Sequence, residues 1–235
     1  MGLISWRIER DFPAAQYYFD KSIERNTKAP LINSRYAYFL VWMYELELAK
    51  KLAKNAMESD PIDYNSYIIL ATILRLEGDT VESNRLTKDA VLLFPNNKPV
   101  SRMKINNAMH RQQYDSVIKY CEEVFEKEQT KDEVLLALQS IAYFNSGRKR
   151  EADLLLNELK QMPEQTFTNI NYSVAHVFAN RKQWDSCFNR LDRSLELLEP
   201  NLNLLKTDIL FKEIRGHQRY KRIYEQYGFG RYKPH

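Results

Sequence analysis

The sequence predicts an all-α protein: an α-solenoid of about six helical hairpins with a C-terminal capping helix pair. Three observations carry the prediction. The 235 residues include only six Gly, while Lys, Glu, Leu and Ala are plentiful, and that balance favours helix. Hydrophobic residues make up 44% and charged residues 28%, which is globular rather than disordered. Small and apolar residues also recur at a fixed interval. Ala15, Ala49, Ser83, Val117, Ala152 and Cys187 follow one another at 34, 34, 34, 35 and 35 residues.

The units run over approximately 1–29, 30–63, 64–97, 98–132, 133–167 and 168–202, and residues 203–235 form the capping segment. The second helix of each unit carries a further set four residues on: Phe19, Ala53, Thr87, Cys121, Leu156 and Leu191. The first helices carry Leu3 and Trp6, Ala37 and Leu40, Ala71 and Leu74, Ile105 and Ala108, Ser140 and Tyr143, Ala175 and Phe178. In the first unit, Leu3, Trp6 and Phe12 make an apolar face expected to lie open at the end of the array. In the second, Ala37 and Ala49 let two helices approach closely, and Pro61 ends the unit.

The third unit contains "ATILRLEGDTVESNRLTKDAVLLFPNN". Gly78-Asp79 marks its turn and Pro95 its stop, while Thr80, Ser83 and Thr87 stand where a core wants larger groups. Such a hairpin needs its neighbours to complete a core. The fourth unit has Gln112 at the turn, and the fifth has Gly147. In the tail, Asp208 reads as an N-cap and Gly216 as a C-terminal cap of one short helix. A second helix runs from about His217 to Gly228, and Leu210, Phe211, Ile214, Ile223, Tyr224 and Tyr227 give the pair an apolar face.

A period near 34 residues with two helices per unit resembles the tetratricopeptide repeat. Residues 64–97 match best, through Tyr67, Leu70-Ala71, Leu74, Gly78, Ser83, Ala90 and Pro95. Gln112 and Lys149 depart from the pattern. The resemblance implies a right-handed superhelix, and it places Met1 part-way through a first helix, as in a fragment of a longer chain. The tail resembles the end of repeat arrays attached to bacterial signalling proteins, through Asp208, Phe211, Ile214-Arg215, Arg219-Tyr220 and Gly228. Such arrays accompany winged-helix regulators of the CadC type, nucleotide cyclases and Ser/Thr kinases.

In arrays of this kind the first helices line a concave groove. That geometry nominates Tyr38 and Trp42, then Ile68, Thr72 and Arg75, then Arg102, Asn106 and His110. Further along it nominates Ile141, Phe144 and Asn145, then Tyr172, His176 and Asn180. Aromatics beside Arg and Asn suit a peptide, supplying apolar anchors and donors. Tyr38, Trp42 and Tyr172 fit packing between repeats equally well.

Nothing in the sequence spells a catalytic motif: there is no Gly-rich phosphate loop, HExxH, GxSxG or CxxC. His110, His176, His217 and His235 are scattered, so no cofactor or metal is expected. Cys121 and Cys187 read as buried free thiols. They suit a reducing compartment, and a cytoplasmic location is expected, although a module facing the periplasm would read the same. No segment approaches the roughly 18 apolar residues of a membrane span.

The net charge of +4 sits in the tail, where eight Lys/Arg against three acids leave +5 over residues 206–235. Arg215, Arg219, Lys221 and Arg222 read as the solvated face of a cap, and nucleic acid is not the expected partner. The expected function is a non-catalytic protein- or peptide-binding module of a larger bacterial signalling or transcription regulator. The alternatives are a free-standing adaptor that dimerises through Leu3, Trp6 and Phe12, and an enzyme within a helical-repeat frame.

Overall fold

The computed structural model describes residues 1–26, 29–129, 131–165 and 168–234. His235 and the fifth unit's boundary at 167 lie outside them. Among the described residues there is no strand, and the fold is an all-α helical repeat. The chain divides into two compact units, Met1–Met103 together with the segment from Tyr224, and Lys104–Ile223. Segment 203–235 therefore contributes to both.

The first unit opens with a short helical stretch, α1 (Gly2–Ile4), that runs into a π-helical turn, Ser5–Glu9. It pairs with α2 (Phe12–Arg25). Two hairpins follow, α3 (Pro30–Met43) with α4 (Leu46–Ser59) and α5 (Tyr64–Glu77) with α6 (Thr80–Leu93). The second unit takes in the end of α7 (Lys98–His110) and then α8 (Tyr114–Glu128). The pairs α9 (Glu133–Asn145) with α10 (Lys149–Gln161) and α11 (Ile170–Asn180) with α12 (Trp184–Leu197) complete its array. Successive hairpins stack, α3 and α4 against α5 in the first unit and α9 and α10 against α11 in the second.

Each hairpin turn passes through the left-handed region once. The residues are Arg10, Tyr44, Gly78, Gln112, Gly147 and Lys182, with φ of 54°, 65°, 88°, 57°, 83° and 57°. Four of the six are not glycine, so each holds a backbone that costs an ordinary residue about 1–2 kcal/mol. Hydrogen bonding over-determines the shape. The N–H after the left-handed residue returns to a carbonyl five residues back: Glu45 to Leu40, Asp79 to Leu74, Gln113 to Ala108, Arg148 to Tyr143 and Gln183 to Phe178. This is the bond that ends a helix in a Schellman motif. Gln112 and Gly147 therefore do the same job, and the departure at Gln112 is a change of side chain alone.

The helix starts follow the sequence. Asp11, Asp63, Asp79 and Asp132 accept backbone N–H groups at the beginnings of α2, α5, α6 and α9. The thin core of the third hairpin is explained by hydrogen bonding as well as size. Ser83 is buried on α6 and its Oγ donates to the Ala71 carbonyl of α5 at 2.8 Å. In the second unit the polarity reverses, and Ser140 of α9 donates to the Ala152 carbonyl of α10 at 2.8 Å. A small hydroxyl brings the backbones close and satisfies itself on the facing helix.

The expected open face at the N-terminus is closed. Trp6 and Phe12 are both 0% exposed. Trp6 packs edge-on against Phe39 and Trp42, with ring centres 5.5 and 4.6 Å away. Phe12 stacks on Phe229 at 5.3 Å and tilts against Tyr227 at 6.1 Å, while Tyr232 meets Phe39 at 5.8 Å. Of the face that the sequence leaves bare, α3 thus covers Trp6 and the end of the chain covers Phe12, while Leu3 stays half-buried. Gly228 suits the turn into this segment, because its φ of 103° is a backbone that side-chain-bearing residues rarely adopt.

The rest of the tail belongs to the second unit. Asp208 caps a 3₁₀ turn, Ile209–Ile214, accepting from the Leu210 N–H at 3.0 Å. A six-residue 3₁₀ turn thus stands in place of the expected α-helix, and Arg215 donates back to the Asp208 carbonyl at 3.0 Å. Gly216 is not left-handed, so its expected capping role falls to no residue there. The second tail helix, α13 (Gln218–Tyr227), forms where expected. Phe211, Ile214, Ile223 and Tyr227 are buried, with Leu210 and Tyr224 half-buried.

Candidate functional site

The first helices of the first unit shape one small concavity. Its walls come from three successive first-helix segments. Leu3, Trp6 and Arg7 come from the N-terminal stretch, Leu31, Ser34, Arg35 and Tyr38 from α3, and Tyr64, Asn65 and Ile69 from α5. On α3 the spacing of 31, 34, 35 and 38 is one helical face, so the pocket follows directly from helix geometry. Its volume is about 150 Å³. Small-molecule sites usually run to roughly 300–1,000 Å³, so this one accepts the end of a side chain rather than a whole metabolite.

The pocket is cationic. Arg7 and Arg35 are exposed, and neither forms an ion pair among the described residues. Arg7 is steered by the Trp6 indole, with its guanidinium 5.0 Å from the ring centre. Burial raises the Tyr38 hydroxyl above its ordinary range, and the charges of Arg7 and Arg102 act against that rise. No Asp or Glu lines the pocket. The neighbouring Asp63 is already committed, accepting from the Asn65 N–H at 3.1 Å, the Asn65 Nδ2 at 2.8 Å and the Ser66 hydroxyl at 3.0 Å.

The nominated groove residues divide by burial. In the first unit Tyr38, Ile68, Thr72, Arg75 and Arg102 are half-buried, and of these Tyr38 lines the pocket. Trp42 is buried against Trp6 and Tyr38, so it packs between repeats rather than facing a partner. In the second unit Asn106 is exposed and His110 half-buried. Ile141 is buried in the apolar core with Leu156 and Val174. Asn145 donates to Asn180 at 3.0 Å, an amide pair joining α9 and α11 at the surface. Phe144 lies 4.8 Å beneath the Arg181 guanidinium.

Tyr172 and His176 are not available as they stand, at 0% and 7% exposure. The chain's own tail lies on them. The Tyr172 hydroxyl donates to Asp208 at 3.0 Å, and His176 Nε2 meets the same carboxylate oxygen at 2.6 Å. Phe211 packs against both rings, 5.4 Å from Tyr172 and 5.0 Å from His176. Burial works against a charge on Asp208, but His176, the Leu210 N–H and the Tyr172 hydroxyl outweigh it and hold the carboxyl below its usual range. Beneath this layer Glu199 is buried, accepting from the backbone N–H of Asn171 at 3.0 Å and of Tyr172 at 2.8 Å and from the Ser194 hydroxyl at 3.0 Å. It caps α11 from outside the helix.

The basic tail is also spent on the fold. Arg219 holds Asp192 at 2.6 Å, Arg222 bonds the other oxygen of that carboxylate, and Arg215 bonds the Asp208 carbonyl. Burial pushes the thiols of Cys121 and Cys187 up to about 12. Among the described residues no three His, Cys, Asp or Glu side chains gather as a metal ion requires, and no helix is long and apolar enough to cross a membrane.

Sequence reasoning missed Arg7 and Arg35, and one signal for Arg35 was present. It is the single charged residue of α3, whose sequence is PLINSRYAYFLVWM. It stands three positions before the nominated Tyr38, on the same helical face, and only the neighbouring segments show that it shares a pocket with Arg7.

No family model matches the chain, and a search of curated proteins finds no match. Solved structures resemble it in shape. A tetratricopeptide repeat protein from Parabacteroides merdae aligns with a TM-score of 0.69 at 11% identity, covering 96% of this chain and 81% of that one. A chain of the APC/C hetero-tetramer Cut9-Hcn1 aligns with a TM-score of 0.56 at 12% identity, covering 92% of this chain and 43% of that one. The present chain thus spans less than half of that second protein. With a repeat of 34–35 residues, six left-handed turns in phase and these two likenesses, the chain has the tetratricopeptide-repeat fold.

Proposed function

We propose that the chain is a non-catalytic scaffold that holds a protein or peptide segment against its first helices. The observation that carries this reading is the pocket across three successive first-helix segments, sized for one side chain and open to solvent. The half-buried Ile68, Thr72 and Arg75 extend the same kind of surface along α5. The fold is one used for assembly elsewhere, since one structural neighbour is part of a hetero-tetramer.

The finer reading is a module of a bacterial signalling or transcription regulator working in the cytoplasm. It rests on the tail's likeness to regulator arrays and on two thiols kept free and buried.

A photocrosslinking pair tests the binding reading. Benzoylphenylalanine replaces Thr72 in one protein and Lys51, exposed on α4, in another. Irradiation in the native cell is expected to give discrete adducts from position 72 and none from position 51. Equal adducts from both, or none from position 72, would sink it.

A further inference from the structure

We infer that the pocket formed by Arg7, Arg35, Tyr38 and Asn65 selects partners by an acidic side chain, taking an Asp or Glu from within a partner's segment. The inference rests on the binding reading above and adds the chemistry of the bound segment.

Charge complementarity carries it. Elsewhere on the surface several exposed arginines are held by carboxylates of the same chain: Arg85 by Glu82, Arg148 by Glu151, Arg193 by Glu164, Arg222 by Asp192. Arg7 and Arg35 line one pocket and have no such partner among the described residues. Two guanidiniums converging on a small concavity with no carboxylate in its lining leave a positive site with its counter-charge missing. The indole under Arg7 limits that side chain's freedom, so less ordering remains to be done on binding. Leu3, Leu31 and Ile69 give the same pocket apolar walls, which fits an acidic residue flanked by an aliphatic one.

The anion is a side-chain carboxylate, for a reason local to α5. A phosphate group or a chain terminus is usually captured with help from free backbone N–H groups at a helix start. At the start of α5 the Asn65 N–H is already bonded to Asp63. On the α5 side a ligand therefore meets guanidinium and hydroxyl groups, and the room is about 150 Å³.

The test uses the full chain and three pools of fluorescein-labelled, C-terminally amidated heptapeptides. The pools are randomised except for a central Glu-Glu, Gln-Gln or Lys-Lys pair. Fluorescence anisotropy is expected to show the Glu pool binding at least tenfold more tightly than the Gln pool, with the Lys pool weakest. The R7Q/R35Q double variant is expected to erase the Glu-over-Gln difference while its helical circular dichroism and melting midpoint stay as in the parent. Each single variant is expected to lose part of it. The inference is overturned if the Glu and Gln pools bind alike, if no pool binds, or if the preference survives in the double variant. It is also overturned if a pool with a central phosphoserine binds tenfold more tightly than the Glu pool. Adducts from position 72 alongside indifferent pools would remove this inference and leave the binding reading standing. Loss of those adducts would remove the broader reading.

Discussion

The face of α3 and α5 in the first unit and the face of α11 in the second are the same kind of surface put to opposite uses. Both present first-helix side chains at helical spacing. On α11 the chain supplies its own occupant: Asp208 accepts from Tyr172 and His176, and Phe211 covers both rings. On α3 and α5 two arginines line a pocket in which no described carboxylate meets them. A repeat fold dictates where such faces occur. Which of them is spent on stability and which is left for a partner depends on side chains far away in sequence, since Asp208 lies 32 residues from His176.

The difference predicts where substitutions hurt. Phe211 is fully buried, so Phe211→Ala should cost about 3–5 kcal/mol of stability. Phe12→Ala should cost a similar amount, because Phe12 is buried against the segment from Tyr224. Urea unfolding followed by circular dichroism measures both. A loss below 1 kcal/mol for Phe211→Ala would mean that the tail is only loosely laid on α11.

Asp208→Ala comes next, at roughly 2–4 kcal/mol, because it strands the Tyr172 hydroxyl and His176 Nε2 and removes the cap on Leu210. The loss has a pH signature. The folded Asp208 carboxyl is held below its ordinary value, so its stabilisation is complete above the unfolded value of about 4 and is lost as pH falls through the folded one. The stability gap between parent and Asp208→Ala should therefore narrow below about pH 4. A gap unchanged at pH 3 would show that the carboxylate's charge contributes nothing.

A gentler effect follows in thiol access. Both cysteines are buried and their thiols stand near 12, so a disulfide reagent should scarcely touch either in the parent. Asp208 and Arg219 lie close enough to Cys187 to act on its charge, whereas Cys121 donates to the Leu135 carbonyl deep between α8 and α9. Loosening the tail with Asp208→Ala should speed the labelling of Cys187 more than that of Cys121, as read by mass spectrometry of the labelled peptides. Equal acceleration would mean that the whole second unit opens together.

How much of this was legible depends on distance along the chain. The hairpins and their turn positions are written within 34-residue windows, and Ser83 at a close helix approach followed from its size. Even the left-handed turn at Gln112 was marked by its phase with Gly78, although its residue type argued otherwise. The closures were not legible. Phe12 read as an exposed end because its cover, Phe229, lies 217 positions later and belongs to no repeat. Tyr172 and His176 read as groove residues because a repeat pattern carries no record of a tail folding onto it. The pocket was half legible: Tyr38 fell on the nominated stripe, while Arg7 and Arg35 acquire meaning only when three segments are brought together.

The smallest expected effect is the most discriminating. R7Q/R35Q should change stability by less than about 1 kcal/mol, the loss of the Arg7 contact with the Trp6 indole being its main part. Both arginines are exposed and neither is in an ion pair among the described residues, so folding gains little from their charge. A large loss, several tenths of the Phe211→Ala effect, would show that these arginines hold the first-unit hairpins together and are not held in reserve. A negligible loss, combined with a lost preference for acidic peptides, would mean that the pocket's charge serves binding alone. The two faces would then be separable by substitution: α11 would carry stability without binding, and α3 with α5 would carry binding without stability.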